Sequence, residues 1–387
     1  MKKINTFFDK IFASAHSHLP AGIYQYQAPA DARQPYRLHL RIDPNGEGIL
    51  ILNAKTVLHL NQTAAEYAYH LVKGTTEEEM IKSVAERYEV EEAQIKKDYQ
   101  EFITRIDTLV HSPDVDPVTY FNFERVTPYS KDLLAPYRLD CALTYCVPAK
   151  ISAKVAPQER VKRELTTAEW KTILKKAWEA GIPQVVFTGG EPTLRPDLAE
   201  LIQEAEKLGL VSGLLTDGLR FADKSYLQEI LQSGLDHAML LLNPSDKTSW
   251  KALQAALAED LFITVHLTIT KENVKDLNQL LSKLSKEGVK SLSLSVDNVS
   301  LKPELKHIQQ EASNRGMSLV WDIPVPYADC HPIALEMLDE SEKLAEGAGK
   351  AWLYVEPDGD VLPAQGINQV HGNLLTDEWD SIWKKHE

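Results

Sequence analysis

The chain has 387 residues, 43% apolar and 25% charged, an ordinary globular composition and enough length for one large α/β domain plus a smaller one. A formal charge of -14 excludes a broad nucleic-acid surface, which needs clustered Lys and Arg to replace phosphate counterions. Three cysteines (Cys141, Cys146 and Cys330) are too few for a disulfide framework and fit a reducing cytoplasm.

The opening "MKKINTFFDKIFASAHSHL" is basic like a signal peptide, but Asp9 and Lys10 break its apolar run. Ile4, Phe7, Phe8, Ile11 and Phe12 instead fall at helical spacing, so residues 1–36 read as an N-terminal helix and lead-in. A helix docked on the protein's own surface is favoured over one lying on a membrane. No run reaches the roughly 20 apolar residues of a spanning helix.

Residues 37–112 read as a compact winged-helix-like domain. "RLHLRIDPNGEGILILNAKTVLHL" alternates apolar and polar residues around an Asp-Pro-Asn-Gly turn, the pattern of a hairpin and a further short strand. Three helices follow. Asn61 or Thr63 caps the first and Gly74 ends it; Thr75 or Thr76 caps the second, with acidic residues in its first turn. The third begins near Glu91 and carries Ile95, Tyr99, Phe102, Ile103 and Ile106 on one face.

Residues 113–136, rich in Pro, Asp and Ser, read as a linker. From there the pattern changes. The β-rich runs "LDCALT", "QVVFT", "VSGLLT", "HAMLLL", "FITVHLTI", "SLSLSV" and "SLVWDI" alternate with amphipathic helices. Such repeats imply parallel strands with right-handed crossovers, so residues 137–330 are expected to form a partial or full (βα) barrel, with a doubly wound sheet as the alternative. Functional residues then belong at strand C-termini. Residues 331–387 read as an extension, a hairpin turning at Asp358-Gly359 and a small helix, which covers the barrel.

The loudest motif is "VVFTGGEPTLRPDL" (185–198), a buried strand running into two glycines, Glu-Pro, and a helix starting near Arg195-Pro196. Paired glycines admit a ligand close to the backbone, and Glu191 at the strand edge is a carboxylate that suits an ammonium group. A tight βα turn with a solvated Glu is the competing reading.

"TGGEPTLR" in the second loop of a βα array resembles the radical S-adenosylmethionine (radical SAM) superfamily. So do "LLTDG" (Leu214 to Gly218, with Asp217 in the usual Asn place), "TITKENVKDLNQLLSKLSKEGV", and "YVEPDGDVLPAQG" followed by "GNLLTDEWDSIW". The resemblance covers roughly residues 137–387. It implies that Gly189, Gly190, Glu191, Pro192, Thr216, Asp217 and Gly218 bind S-adenosylmethionine, the Gly-Gly-Glu-Pro loop holding the amino group of its methionine moiety. "ILILNAKTVLHLNQTAAEYAYHLVKGTTEEEMIKSVAERY" resembles the precursor-peptide recognition domain of the pyrroloquinoline-quinone biosynthesis chaperone family. That implies a leader peptide added as an extra strand beside the hairpin. A structural remnant is the competing reading; DNA binding is disfavoured by the mixed, partly acidic third helix "VEEAQIKKDYQEFITRI".

The family's CxxxCxxC loop, three thiolates for a [4Fe–4S] cluster, is missing. Cys146 stands in the right loop, but four and seven residues on are Lys150 and Ala153; the family's usual frame gives Val147, Ile151 and Lys154. Ala149, Ala153 and Ala156 carry the cysteine spacing, yet the loop is rich in Ala and Lys throughout, which favours natural degeneration over engineered replacement. Ala364, where the extension often has Cys, speaks against an auxiliary cluster. No [4Fe–4S] cluster is expected. A metal held by Cys146, Cys330 and His331 is disfavoured, and Cys141, His237 and His266 read as core. "QERVKRE" places Arg160 and Arg163 where they can meet a carboxylate or phosphate. Three functions stay open: a cluster-less scaffold binding a ribosomal precursor peptide or a partner maturation protein, a non-radical enzyme using S-adenosylmethionine or a similar amine, and a Cys-to-Ala variant of an active maturase.

Overall fold

The computed structural model describes residues 19–29, 36–54, 56–88, 90–111, 133–321, 323–338 and 345–383. The chain divides into two compact units, Met1–Ser130 and Lys131–Glu387. The amphipathic stretch near the N-terminus and most of the linker expectation lie outside the described residues.

The first unit is an antiparallel meander of β1 (Gly22–Gln27), β2 (Arg37–Ile42), β3 (Gly48–Leu52) and β4 (Thr56–Leu60), in that order. Asp43 to Gly46 make the β2–β3 turn, Gly46 at φ 81° with its N–H on the Asp43 carbonyl. The strand β1, ahead of the alternating segment, had no such turn signal. Asn61 caps α1 (Gln62–Lys73), and Gly74 closes it at φ 64°, where an L side chain is strained. Thr76 and Glu79 form a reciprocal capping box on α2 (Glu77–Arg87). Along α3 (Glu92–His111), Ile95, Tyr99, Phe102 and Ile106 are buried with the apolar side chains of the sheet.

The second unit is built on a ten-stranded sheet, extended at one end by β12 (Trp352–Val355), β13 (Asp360–Leu362) and β14 (Gly372–Asn373). Its parallel strands are β5 (Arg138–Thr144), β6 (Gln184–Gly189), β7 (Val211–Thr216), β8 (His237–Leu241), β9 (Phe262–Ile269), β10 (Ser291–Val296) and the short β11 (Ser318–Leu319). From β5 to β11 strand order follows chain order, with the helices on one face. That one-sided cover rejects the doubly wound sheet, which carries helices on both faces. The two ends of the sheet, β11 and β14, do not pair, so the barrel is partial.

Alternation along each strand sorts the residues. Leu139, Cys141 and Leu143 of β5 and Val185 and Phe187 of β6 join Trp170, Ile173, Leu174 and Ala177 of α4 (Thr167–Glu179) and Leu201, Ile202 and Ala205 of α5 (Leu198–Leu208) in the main core. Each large side chain buried there contributes roughly 1.5–3 kcal/mol. Cys141 is therefore a core residue. The intervening positions face the concave side.

The C-terminal hairpin forms as expected, β12 (Trp352–Val355) and β13 (Asp360–Leu362). It does not cover the barrel. Instead β12 pairs in parallel with β5, extending the sheet, because Leu353 and Val355 continue the main core. Among the described residues no helix is long and apolar enough to cross a membrane.

Candidate functional site

The glycine loop after β6 is a knot of backbone contacts. Gly189, at φ 124°, has the Thr144 carbonyl oxygen 2.2 Å from where a Cβ would sit; for Gly190 the Cys146 carbonyl oxygen is at 2.3 Å. Gly190 N–H and Glu191 N–H donate to those carbonyls, both at 2.8 Å, and the Tyr327 N–H donates to the Gly189 carbonyl at 2.9 Å. The paired glycines thus let the first and second strand loops touch. Pro192 opens a 3-10 turn, Pro192–Leu194, ahead of α5.

Glu191 is 3% exposed. Its Oε1 accepts from the Thr193 N–H (2.9 Å), the Thr193 hydroxyl (2.5 Å) and the Thr216 hydroxyl (2.6 Å), and its Oε2 from the Asp217 N–H (2.7 Å). The Thr216 hydroxyl also accepts from the Gly218 N–H at 3.0 Å, and Gly218 turns the chain at φ 71°. So Gly189, Gly190, Glu191, Thr216, Asp217 and Gly218 do come together. Glu191, however, is a strut between two strand loops. Asp217 is the freer carboxylate: its Oδ1 accepts from the Leu219 N–H at 2.9 Å. Burial, then the negative charge of Glu191, pushes its pKa up to about 8, far above the usual carboxylate range. A cation at Asp217 would relieve both.

Sequence reasoning missed the residues that brace this knot. The Arg195 guanidinium donates to the carbonyls of Leu143 and Leu165, both at 3.1 Å, and grips Asp197 through two nitrogens. Glu164 accepts from the Thr144 hydroxyl (2.7 Å) and the Tyr145 N–H (3.0 Å). Arg195 lay inside the motif as a signal; Glu164 and Tyr327 had none. Arg160 meets the Glu356 carboxylate at 2.9 Å, and Arg163 meets Glu169 at 2.8 Å.

The residues present do not fit an iron–sulfur cluster. Cys141 is buried on the helix-facing side, where desolvation pushes its thiol well above its ordinary range. Cys146 is exposed, and Cys330 comes from a different loop. Ala149 and Ala153 are exposed while Ala156 is buried among tyrosines, so the three alanines with cysteine spacing share no common environment. Among the described residues no group of three or more His, Cys, Asp or Glu side chains is arranged to hold a metal ion.

Across the concave side, β9 and β10 carry a polar ladder. Thr264 meets Ser291 at 3.0 Å, and His266 meets Ser293 through Nδ1 and Ser295 through Nε2, each at 3.0 Å. Burial lowers His266 to about 3 and His331 to about 4, and their rings meet edge-on at 6.0 Å. His237 is lowered to about 4 by burial and contacts Gln184 at 2.8 Å. Above the ladder lies a cavity of about 360 Å³ lined by Thr270, Asp297, Asp329, Cys330, Pro332, Ala334 and Leu335. Ile323, Val325 and Ala328 pack on Val186, Leu215, Met239 and Leu241, so the chain's own segment fills the middle of the concave face.

Residues 141–301 match the model of the Radical SAM superfamily, and residues 48–108 that of Coenzyme PQQ synthesis protein D (PqqD). The chain is similar to the PqqA peptide cyclase of Gluconobacter oxydans (strain 621H), 28% identical over 243 residues, 55% of this chain and 64% of that protein. It is also similar to the PqqA peptide cyclase of Streptomyces rochei, 27% identical over 287 residues, 64% of this chain and 76% of that one. The match therefore spans under two thirds of the Gluconobacter relative. Among solved structures, Streptococcus suis SuiB bound to S-adenosylmethionine aligns with TM-score 0.55 at 15% identity, and SuiB bound to precursor peptide SuiA with 0.55 at 14%, each over 89% of this chain and 86% of SuiB. At such identities the likeness establishes the fold.

Proposed function

A radical SAM domain and a PqqD-like domain are joined in this chain, and on that premise we propose that it binds a ribosomal precursor peptide as a cluster-less scaffold in peptide maturation. The single observation that carries the reading is the pairing of a peptide-recognition module with a barrel whose first loop holds one thiol, Cys146. A four-iron cluster needs a thiolate for each protein-ligated iron, and one cannot seat it. The relatives named as peptide cyclases, and SuiB with its precursor peptide, supply the substrate class.

The leader docks as an added strand at β4, the last strand in the order of the first sheet, where Val57, opposite Ile51 of β3, is 36% exposed. In the cytoplasm the chain keeps its three thiols unpaired. Should the barrel hold S-adenosylmethionine without radical chemistry, Asp217 rather than Glu191 receives its ammonium group. Isothermal titration against leader peptides from neighbouring open reading frames tests the proposal. Micromolar binding, weakened at least tenfold by Val57→Pro, is expected, because a proline in an edge strand withdraws a ladder donor. Absence of binding by every candidate peptide overturns it.

A further inference from the structure

The loop from Tyr145 to Leu165 runs where the family's cluster loop runs, and it is fastened at several points. Tyr145, 2% exposed, donates its hydroxyl to Glu356 Oε1 at 2.8 Å, and Arg160 reaches the same oxygen at 2.9 Å. The Gln158 side chain donates to the Tyr145 carbonyl at 2.9 Å, and Leu165 N–H donates to the Pro357 carbonyl at 2.7 Å. The Tyr145 ring meets Tyr327 edge-to-face at 5.7 Å, and the Tyr327 hydroxyl donates to Glu336. Ala142, Tyr145, Ala156, Tyr327, Tyr354 and Leu362 form one buried cluster around these groups.

The partners come from five places: the end of β5, the loop itself, the segment crossing the concave face, the 3-10 turn Ile333–Leu338, and the β12–β13 turn. Burial holds the tyrosines far above their ordinary range, so each is a neutral donor. Burial raises Glu356, but the Tyr145 hydroxyl and Arg160 both favour its charged form. Every strong acceptor in the set has a donor. Such a network holds a loop in one arrangement and is costly to break on one side only.

We infer that this tyrosine–carboxylate–guanidinium lock stands in place of the cluster: hydrogen bonds and aromatic packing, with no metal, fasten the first loop to the C-terminal extension. The inference rests on reading the barrel as a metal-free scaffold, and it adds what replaced the metal and which residues do so.

The test uses the full chain. Tryptic cleavage within residues 147–163, at Lys150, Lys154, Arg160, Lys162 or Arg163, is timed in the native protein and in Tyr145→Phe and Glu356→Gln. Cleavage about fivefold faster in both variants is expected, as for the loss of one or two buried hydrogen bonds. Rates should be unchanged by chelator, and anaerobic treatment with ferrous iron and sulfide should leave no stoichiometric iron. Cleavage of both variants no faster than that of the native protein, slower cleavage after iron treatment, or four irons bound per chain would overturn the lock. Leader binding measured on the same variants separates this outcome from failure of the peptide-binding proposal, since the first unit is untouched.

Discussion

Beside β5 and β12 the concave side is packed with Tyr145, Tyr327 and Tyr354, whereas beside β9 and β10 it is lined by threonines, serines and His266 and ends at a cavity of about 360 Å³. The tyrosine half excludes solvent with bulk and anchors the Tyr145 and Tyr327 hydroxyls on the carboxylates of Glu356 and Glu336. The ladder half satisfies its small polar groups laterally, strand to strand, with the His331 ring against His266. The difference teaches where the molecule has kept room. That room lies near Asp297, Asp329 and Cys330.

The sharpest way to break the tyrosine half is Gly189→Ala. A Cβ there would strike the Thr144 carbonyl at 2.2 Å in a backbone conformation that L residues avoid, and the loop carries the Gly189–Tyr327 hydrogen bond. A loss of about 4 kcal/mol or more in urea unfolding, or insoluble protein, is expected. Gly74→Ala is the control: φ is 64° but nothing lies within 4 Å, so about 1 kcal/mol is expected.

Glu356→Ala comes next, at about 3 kcal/mol, because Arg160 and Tyr145 lose the carboxylate they share. On the other half, Ser295→Ala removes one side of the His266 contact and should cost about 1 kcal/mol in the same assay. Equal costs would erase the proposed contrast.

Acid acts on the ladder half. His266 and His331 have folded values of about 3 and about 4, below the roughly 6.5 of an unfolded chain, so the unfolded state binds protons first. Their contribution is complete above pH 6.5 and is lost as pH falls towards the folded values. Between pH 6.5 and 5 that amounts to about 1.6 kcal/mol for each. His237, lowered to about 4, adds a like loss and Asp217, raised to about 8, opposes it, so each share is read as the change in urea midpoint relative to a variant. His266→Gln should remove its share of the slope. The smallest effect is Cys146→Ser: the thiol is exposed, and a change below about 0.5 kcal/mol, with unaltered leader binding, is expected.

Local signals were legible wherever neighbours along the chain supplied the physics. Asn61 and Thr76 cap their helices, Gly74 closes one, and the run of βα repeats gave the parallel sheet. The glycine loop and its contact with Thr216 to Gly218 were also readable, because they sit at successive strand ends. The role of Glu191 was not. Its free-carboxylate reading assumed an open loop, and only the positions of Thr193, Thr216 and Asp217 reveal that both oxygens are engaged. Likewise β1 lacked a turn signal, and β12 read as a cover until its register with β5 was known.

By itself the sequence determined the order of elements, the helix ends and the shortage of thiols, since caps, periodicity and residue count depend on neighbours or on nothing but composition. Tertiary structure alone decided that Tyr145 meets Glu356, 211 positions away, and that Tyr327 closes on Gly189. Pairings of that range carry no local imprint, because their energy is realised only after the intervening chain has folded and excluded water.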